Sequence, residues 1–523
     1  MFENFYFFDK SLVPIVCLGI LLFIVSIFFY TRNKSNLSFW TLLLGAFCIR
    51  IFMSLLDPYL NLWDEQYHAL VAKNLILHPL KPTLIENPVI YFQYSWVNGH
   101  IWLHKQPLFL WIIALSLKVF GVNEFAVRLP SILMSTIVVG FIFDIGKRTL
   151  HVSVGYIAAL LFATGNFSLE LVSGFFGIDH NDVAFLFFVT GSIYFGIRYN
   201  EKKSMSLLIW VGIFSGGAFL VKWVMGLIVY FGWSVGILLN KADKNKVQQI
   251  KYLLFSFSIA LIVLLPWQIY ILKVFPLESH IEFDLNSKHF FEVVEGHGGN
   301  ALFYWFNLNQ LFGKGQLIPF LILFSLFFFF RNLSTNIQRI FFFSIIIFVY
   351  AFFTLARTKM SGFCYFMSPI IYLSLGCLIF EFQKLLKQLI TNKIVFNSIR
   401  FILLFLIFYS NINLHEIQWQ HTLIKSNETA RKERLQTMQA IRQVQKEIGN
   451  GNNIIFNCKP QDHIPFMFYT GNLAYDFIPT QEELVIAMKS EKRIVIFYSR
   501  NLPDYITLDN RILIIKDIKY QES

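Results

Sequence analysis

Charge is scarce in this chain: of 523 residues only 15% are Asp, Glu, Lys or Arg, while 56% are hydrophobic and 18% aromatic. A soluble protein of this length needs a polar coat that these numbers cannot supply, so a water-soluble enzyme is excluded and a polytopic membrane protein is indicated. Cysteine is also sparse. Cys17, Cys48, Cys364 and Cys377 lie in or beside apolar runs and Cys458 stands alone in a polar tail, which excludes a disulfide framework or a cysteine metal cluster. The first thirty residues lack a basic leading region and a small-residue cleavage site, so they read as a retained first span rather than a removed signal peptide. No internal repeat of the transporter kind is visible.

What is present is a series of long apolar runs. With about 20 apolar residues needed per span, crossings are expected near 13–30, 38–56, 128–147, 152–171, 178–198, 205–221, 224–240, 251–272, 316–331, 340–356, 362–381 and 397–413. The run at 106–120 is short for a crossing. The net charge of +12 resides largely in loops between spans, which argues against nucleic acid as a partner. The basic loops are Arg32/Lys34, Lys147/Arg148, Lys202/Lys203, Lys241 to Lys251, Arg331/Arg339 and Lys384 to Arg400. They share one side, the cytoplasm, only if 106–120 lies along the surface or re-enters. The loop 57–127, the loop 273–315 and everything after about 413 then lie outside.

The expected division is a membrane domain over 1–413, with 57–127 as an outer first loop, followed by a soluble extracytoplasmic domain over 414–523. In the latter, a helical stretch near 425–448 precedes the β-rich segments NIIFNCK, AYDFIP, RIVIFYS and RILIIKDI. The helix-like QEELVIAMKS is interleaved with them, the pattern of a small α/β domain.

The informative charges are those that orientation leaves unexplained. They sit at outer span ends: Asp64 and Glu65, Lys105, Arg128, Asp179 with His180 and Asp182, Lys222, and Arg357 with Lys359. Ionisable groups beside lipid are costly, so a cluster at one depth indicates a polar cavity at the outer boundary. Each member has a plainer reading: Lys222, Arg128 and Lys359 as snorkelling anchors, Asp64 as a helix cap, His180 and Asn181 as mutual partners. Asp179 and Asp182 share a helical face, and cations from several spans suit a phosphate, the natural form being one attached to a lipid. Two or three acids with His180 could hold a divalent ion, although zinc-like spacing is absent.

These segments resemble a known family. LWDEQYHALVAKNLIL, HKQPLFLWIIALSLKVFGVNEFAVRLPS, GIDHNDVAFLFF, LVKWVMGL, LLPWQIY, FFEVVEGHGG and TKMSGFCYFMSP are similar, in order from about 62 to 372, to motifs of the polyprenyl-phosphate-sugar-dependent membrane glycosyltransferases. That family includes lipid A aminoarabinose transferase and the protein O-mannosyltransferases. The resemblance implies a C-type glycosyltransferase fold: an all-α polytopic body of about 12–13 transmembrane helices, surface helices in the first loop, and a small α/β extracytoplasmic C-terminal domain. It implies a transferase in the inner (plasma) membrane that moves a sugar from a polyprenyl-phosphate donor to a hydroxyl of a lipid, glycan or protein acceptor on the outer side. No cofactor is required by it, a divalent metal being an open addition.

Carried over by position, Asp64 would activate the acceptor hydroxyl, Lys105 would contact the donor phosphate, and Asp182 or Asp179 would be the second acid. Glu65, His180, Lys222, Glu295, His297 and Lys359 would line the substrates. Departures are Tyr67 and His68 where relatives often carry Arg or Tyr, and Gln106 in place of the first Pro of Lys-Pro-Pro. A lipid or glycolipid flippase is the alternative, and it differs in placing its site near the midplane.

If 106–120 does not cross, a cysteine placed at Asn123 reacts with a membrane-impermeant thiol reagent on intact cells; labelling only after permeabilisation would reverse that topology.

Overall fold

A computed structural model describes residues 10–175, 180–240, 245–313, 315–414, 416–417 and 429–516. Two compact units emerge, Met1–Leu56 with Ser131–Glu416, and Asp57–Pro130 with Ile417–Ser523. The expected boundary near 413 therefore acquires a second cut: the first loop groups with the C-terminal segment.

The first unit is a helical bundle, and each of the twelve expected spans is represented in it by helix. Pro14, Pro276, Pro319 and Pro369 each stand at the first or second position of a helix, where the missing N–H is no loss. Among the described residues, eight helical stretches are long and apolar enough to cross a membrane, or nine with one bent pair counted, by length and composition alone.

The difference from twelve has local causes. Val152–Thr164 and Asn166–Ser173 are separate helices bent by 48°. Ile318–Asn332 has 15 residues, roughly 22 Å of helix against ~30 Å of hydrocarbon. Asn181–Lys202 begins and ends in polar residues. Met205–Leu239 counts once but doubles back. Its helix ends at Lys222, Trp223 takes φ +56°, and a Cβ on Gly226 would lie 2.3 Å from the Phe219 nitrogen.

Close helix crossings need small residues, as in membrane bundles generally. A Cβ on Gly155 would stand 2.2 Å from the Phe143 carbonyl oxygen, so the helices Glu124–Thr149 and Val152–Thr164 touch backbone to backbone. Tyr30 stacks on Tyr156 at 4.2 Å beneath the guanidinium of Arg400, and the Tyr30 hydroxyl donates to Gln383.

The second unit contains the helices Asp64–Leu75 and Pro107–Phe120, then Thr429–Ile448 and a four-stranded sheet. Pro107–Phe120 has 14 residues and, like Ile318–Asn332, is shorter than a usual crossing helix. The strands are β1 (Asn453–Phe456), β2 (Leu473–Ala474), β3 (Arg493–Phe497) and β4 (Ile512–Ile515), all parallel in the order β2-β1-β3-β4. Their continuous apolar runs fit a parallel sheet buried on both faces. AYDFIP contributes only Ala474 to a strand. QEELVIAMKS forms the helix Gln481–Met488, opened by a reciprocal capping box between Thr480 and Glu483.

The two sequence-distant parts of this unit are joined by specific bonds. Lys73 Nζ donates to the carbonyls of Met467 and Phe468 at 2.8 and 2.6 Å, capping the end of the helix His463–Thr470. The Tyr475 hydroxyl accepts from Val89 and Ile90, and the Tyr469 hydroxyl donates to Glu124 at 2.7 Å.

Beyond β1, His463 is 2% exposed, neither ring nitrogen has a hydrogen-bond partner, and Nδ1 lies 3.5 Å from Asp476 Oδ2. Burial holds this imidazole neutral and its pKa well below the usual 6.5, more than Asp476 restores. Between the folded and the ordinary value the unfolded chain binds more protons. The resulting stability is complete above about pH 6.5 and lost as the pH falls toward the folded value. Buried Cys458 reports the opening: in a protein whose only cysteine it is, its labelling rate relative to that of the unfolded protein at the same pH should rise as the pH falls from 7, and His463→Gln should flatten that dependence.

Candidate active site

Asp64 opens its helix with Trp63 as N-cap, so the carboxylate is not consumed as the cap itself. Instead Asp64 Oδ1 lies 3.3 Å from Lys105 Nζ and 3.9 Å from His68 Nε2; Asp64 and Lys105 remain about one-fifth exposed while His68 is fully buried. Lys105 is delivered by the start of Pro107–Phe120. Gln106 is its extended N-cap (φ −67°, ψ 152°), as a residue before proline must be, and Pro107 sits in the first turn. The departure from Lys-Pro-Pro thus leaves the lysine's placement intact.

Glu65 points the other way. It is 2% exposed and takes a two-pronged bond from Arg128, Nε to Oε1 at 2.7 Å and Nη2 to Oε2 at 3.0 Å. Arg128 also donates to the carbonyls of Asp57 at 2.8 Å and Tyr59 at 2.6 Å, while the Asn61 amide donates to Glu65 at 2.6 Å. Expected among the substrate-lining residues, Glu65 occupies the position of a brace for the turn 57–63, and Arg128, 1% exposed, is no snorkelling anchor. Arg431, from Thr429–Ile448, pairs with Asp57 and donates to the Tyr59 hydroxyl at 3.0 Å. Tyr67 and His68 are both buried, Tyr67 against Trp96 and His68 against Trp102. The positions where relatives vary are therefore packed beneath Asp64.

In the bundle unit, Asp182 (4% exposed) forms an ion pair with Lys222, the last residue of Met205–Lys222, and Asn181 Nδ2 donates to Val221 O at 3.1 Å. His180 is buried alongside. Asp179 lies outside the described residues. Lys359 is 5% exposed, its ammonium donating to the carbonyls of Phe353, Thr354 and Ala356 at 3.2, 2.7 and 2.7 Å. That is a cap on the end of Asn336–Leu355, a favoured use of a cation. Glu295 and His297 are exposed on a loop whose Val294 amide donates to the Thr358 hydroxyl and whose His297 carbonyl accepts from the Lys359 amide. Among the described residues no group of three or more His, Cys, Asp or Glu is placed to hold a metal ion.

The structure thus brings Asp64, Lys105 and His68 together in one unit and Asp182, Lys222 and His180 in the other, and turns Lys359 to backbone. Residues the sequence did not single out are Asp57, Arg431 and the tryptophans near Asp64. Arg431 is 374 positions from its partner, and no spacing rule reaches that far.

The chain is similar to several known proteins. A family described as "Dolichyl-phosphate-mannose-protein mannosyltransferase" matches residues 104–270. The fold is that of ArnT from Cupriavidus metallidurans, solved bound to undecaprenyl phosphate, with a TM-score of 0.62 at 12% identity over 85% of this chain and 86% of that one. The oligosaccharyltransferase of Archaeoglobus fulgidus is similar at 0.53 and 13% identity, over 83% of this chain and 63% of that one. Nearer in sequence is a Pseudomonas fluorescens protein named undecaprenyl phosphate-alpha-4-amino-4-deoxy-L-arabinose arabinosyl transferase 2. It is 25% identical over 240 residues, 43% of this chain and 39% of that protein. The chain thus spans about two fifths of that relative's length in the match. The protein is a multi-pass membrane protein whose fold is similar to that of ArnT.

The Glu65–Arg128 brace makes a measurable claim. Arg128→Ala should destabilise the purified protein by roughly 3–5 kcal/mol by leaving a buried carboxylate unpaired, and Arg128→Met combined with Glu65→Leu should recover most of it in thermal unfolding.

Proposed function

We propose that this protein is an integral membrane glycosyltransferase that moves a sugar from a polyprenyl-phosphate donor to an acceptor hydroxyl. The reading places it in the inner membrane with the reaction on the extracytoplasmic face. One observation carries it: a part-exposed carboxylate and ammonium, Asp64 and Lys105, 3.3 Å apart at the starts of two helices, in a chain with this fold.

Asp64 takes the proton of the acceptor hydroxyl as its oxygen attacks the anomeric carbon. The bond from that carbon to the phosphate oxygen breaks, and its electron pair leaves on polyprenyl phosphate. A fixed ammonium at Lys105 stabilises the charge that grows on that oxygen. The two groups are coupled. While Lys105 faces Asp64 the two charges are paired, and a donor phosphate that draws the ammonium away leaves the carboxylate facing the acceptor hydroxyl. His68, buried behind Asp64, limits how far the carboxylate can turn.

Asp182, paired with Lys222, or Asp179 is retained as the second acid, and Glu65, His180, Glu295, His297 and Lys359 as substrate-lining candidates, on the resemblance of their segments. The acceptor is a lipid, a glycan or a protein. A flippase would account for the spans but not for an acid–base pair of this kind beside the family's lysine.

With purified protein and a radiolabelled polyprenyl-phosphate sugar, Asp64→Asn should cut transfer by about 10²–10⁴-fold and Lys105→Ala by about 10²–10³-fold. Normal turnover by folded Asp64→Asn protein would reject the base assignment, and movement of intact donor across the bilayer without turnover would favour the flippase.

A further inference from the structure

Beside the Asp64–Lys105 pair runs a row of aromatic rings. Trp63 immediately precedes Asp64 and is 40% exposed. Its ring lies 6.0 Å from that of Trp96, which in turn lies nearly parallel to the His104 imidazole at 4.8 Å and 16°. His104 immediately precedes Lys105. Trp96 and His104 are half-buried. Behind the row, Tyr67 packs on Trp96 at 5.2 Å, and Trp102 packs on His104 at 5.7 Å while its Nε1 donates to the Trp96 carbonyl at 2.8 Å. The wall is thus fixed from within and partly open, and both of its ends are joined through the backbone to the two charged residues.

Trp63 occupies its position against local preference. A helix N-cap favours Ser, Thr, Asp or Asn, whose side chains bond the free amides, and Trp63 makes no such bond. Its backbone sits at φ +65°, ψ −121°, a region that bulky residues rarely adopt. Two rules of helix initiation are broken at one residue, and the result is a large exposed ring beside a carboxylate. Strain of this kind persists where surrounding structure imposes it and concentrates at binding sites.

The combination selects a chemistry. One face of a sugar ring carries weakly positive C–H groups that suit the negative face of an indole, while its edge carries hydroxyls. Laid on the exposed ring of Trp63, with Trp96 inclined at 47° along its edge, such a ring would cover aromatic surface and still offer hydroxyls toward Asp64 and Lys105. An isoprenoid tail would cover the same rings but strip water from both charges and replace it with nothing. We propose that Trp63, Trp96 and His104 form a stacking subsite for a sugar ring at the edge of the Asp64–Lys105 pair. The proposal deepens the glycosyltransferase reading and rests on it for the ring's role; the sugar comes from the acceptor or from the donor, and the chemistry of the wall is the same for both.

The test is saturation-transfer NMR on the full-length, detergent-solubilised protein, with methyl glycosides of common hexoses, pentoses and amino sugars as one set of probes and farnesyl phosphate as the other. At least one glycoside should receive saturation on the C–H protons of one face. Trp63→Ala or Trp96→Ala should weaken its binding by about tenfold, and Trp63→Phe should retain most of it. Repeating the titration with lipid-linked donor bound separates the two sources: an acceptor subsite stays open, a donor subsite is blocked, and either result supports the wall as a sugar site. Saturation of no glycoside, or sugar contacts unchanged in both alanine variants, overturns the proposal. So does a wall used by farnesyl protons alone. Thermal unfolding of each variant guards against a misfolded protein, with Trp63→Phe as the conservative control. The glycosyltransferase reading is judged separately by whether wild-type protein consumes the donor, so a sugar-binding protein with no turnover would fail that reading and keep the subsite.

Discussion

The buried pair of Glu65 and Arg128 is the constraint on which the rest of the candidate site depends. Two charges at 1–2% exposure persist only if each is fully bonded, and the guanidinium meets that demand by gathering the carbonyls of Asp57 and Tyr59 as well. Those bonds fix the turn that leads into the helix Asp64–Leu75, and the direction of its first residue follows. Adjacent acids thereby receive opposite fates: Glu65 is buried as structure, and Asp64 is left facing Lys105.

The same turn is held from the far end of the chain. Asp57 carries a carboxylate that Arg431 neutralises, and Tyr59 shares in that contact through its hydroxyl. Lys73, Tyr469 and Tyr475 add bonds between the first loop and the C-terminal α/β segment. A segment that reads in sequence as an appendage is, in the structure, part of the unit that holds the turn ahead of Asp64.

How much of this was legible follows from the range of each interaction. Apolar runs were legible as helices because burial in lipid acts on each run by itself; the charge of the loops carried only the expectation that Pro107–Phe120 lies along the surface. Period and β-branching showed the α/β character of the tail. Asp64 and Lys105 were found because they stand beside readable helix starts. Glu65 and Lys359 were placed among the substrates because a sequence shows a charge but not which way it faces; burial and three carbonyls decide that for Lys359. The 48° break between Thr164 and Asn166 lies inside a run that looks continuous, since a bend costs no hydrophobicity, whereas the reversal near Gly226 falls beside the expected boundary between the spans 205–221 and 224–240.

The discontinuity of the second unit has a consequence in time. Its first part ends at Pro130 and its second begins at Ile417, so residues 131–416 must be made in between. At ordinary rates of synthesis that interval is roughly 15–60 s. Throughout it Arg431 does not yet exist, and Asp57 waits without the arginine that will neutralise it. The turn ahead of Asp64 is completed only after residue 431 has been made, so its assembly follows the synthesis of every helix of the first unit.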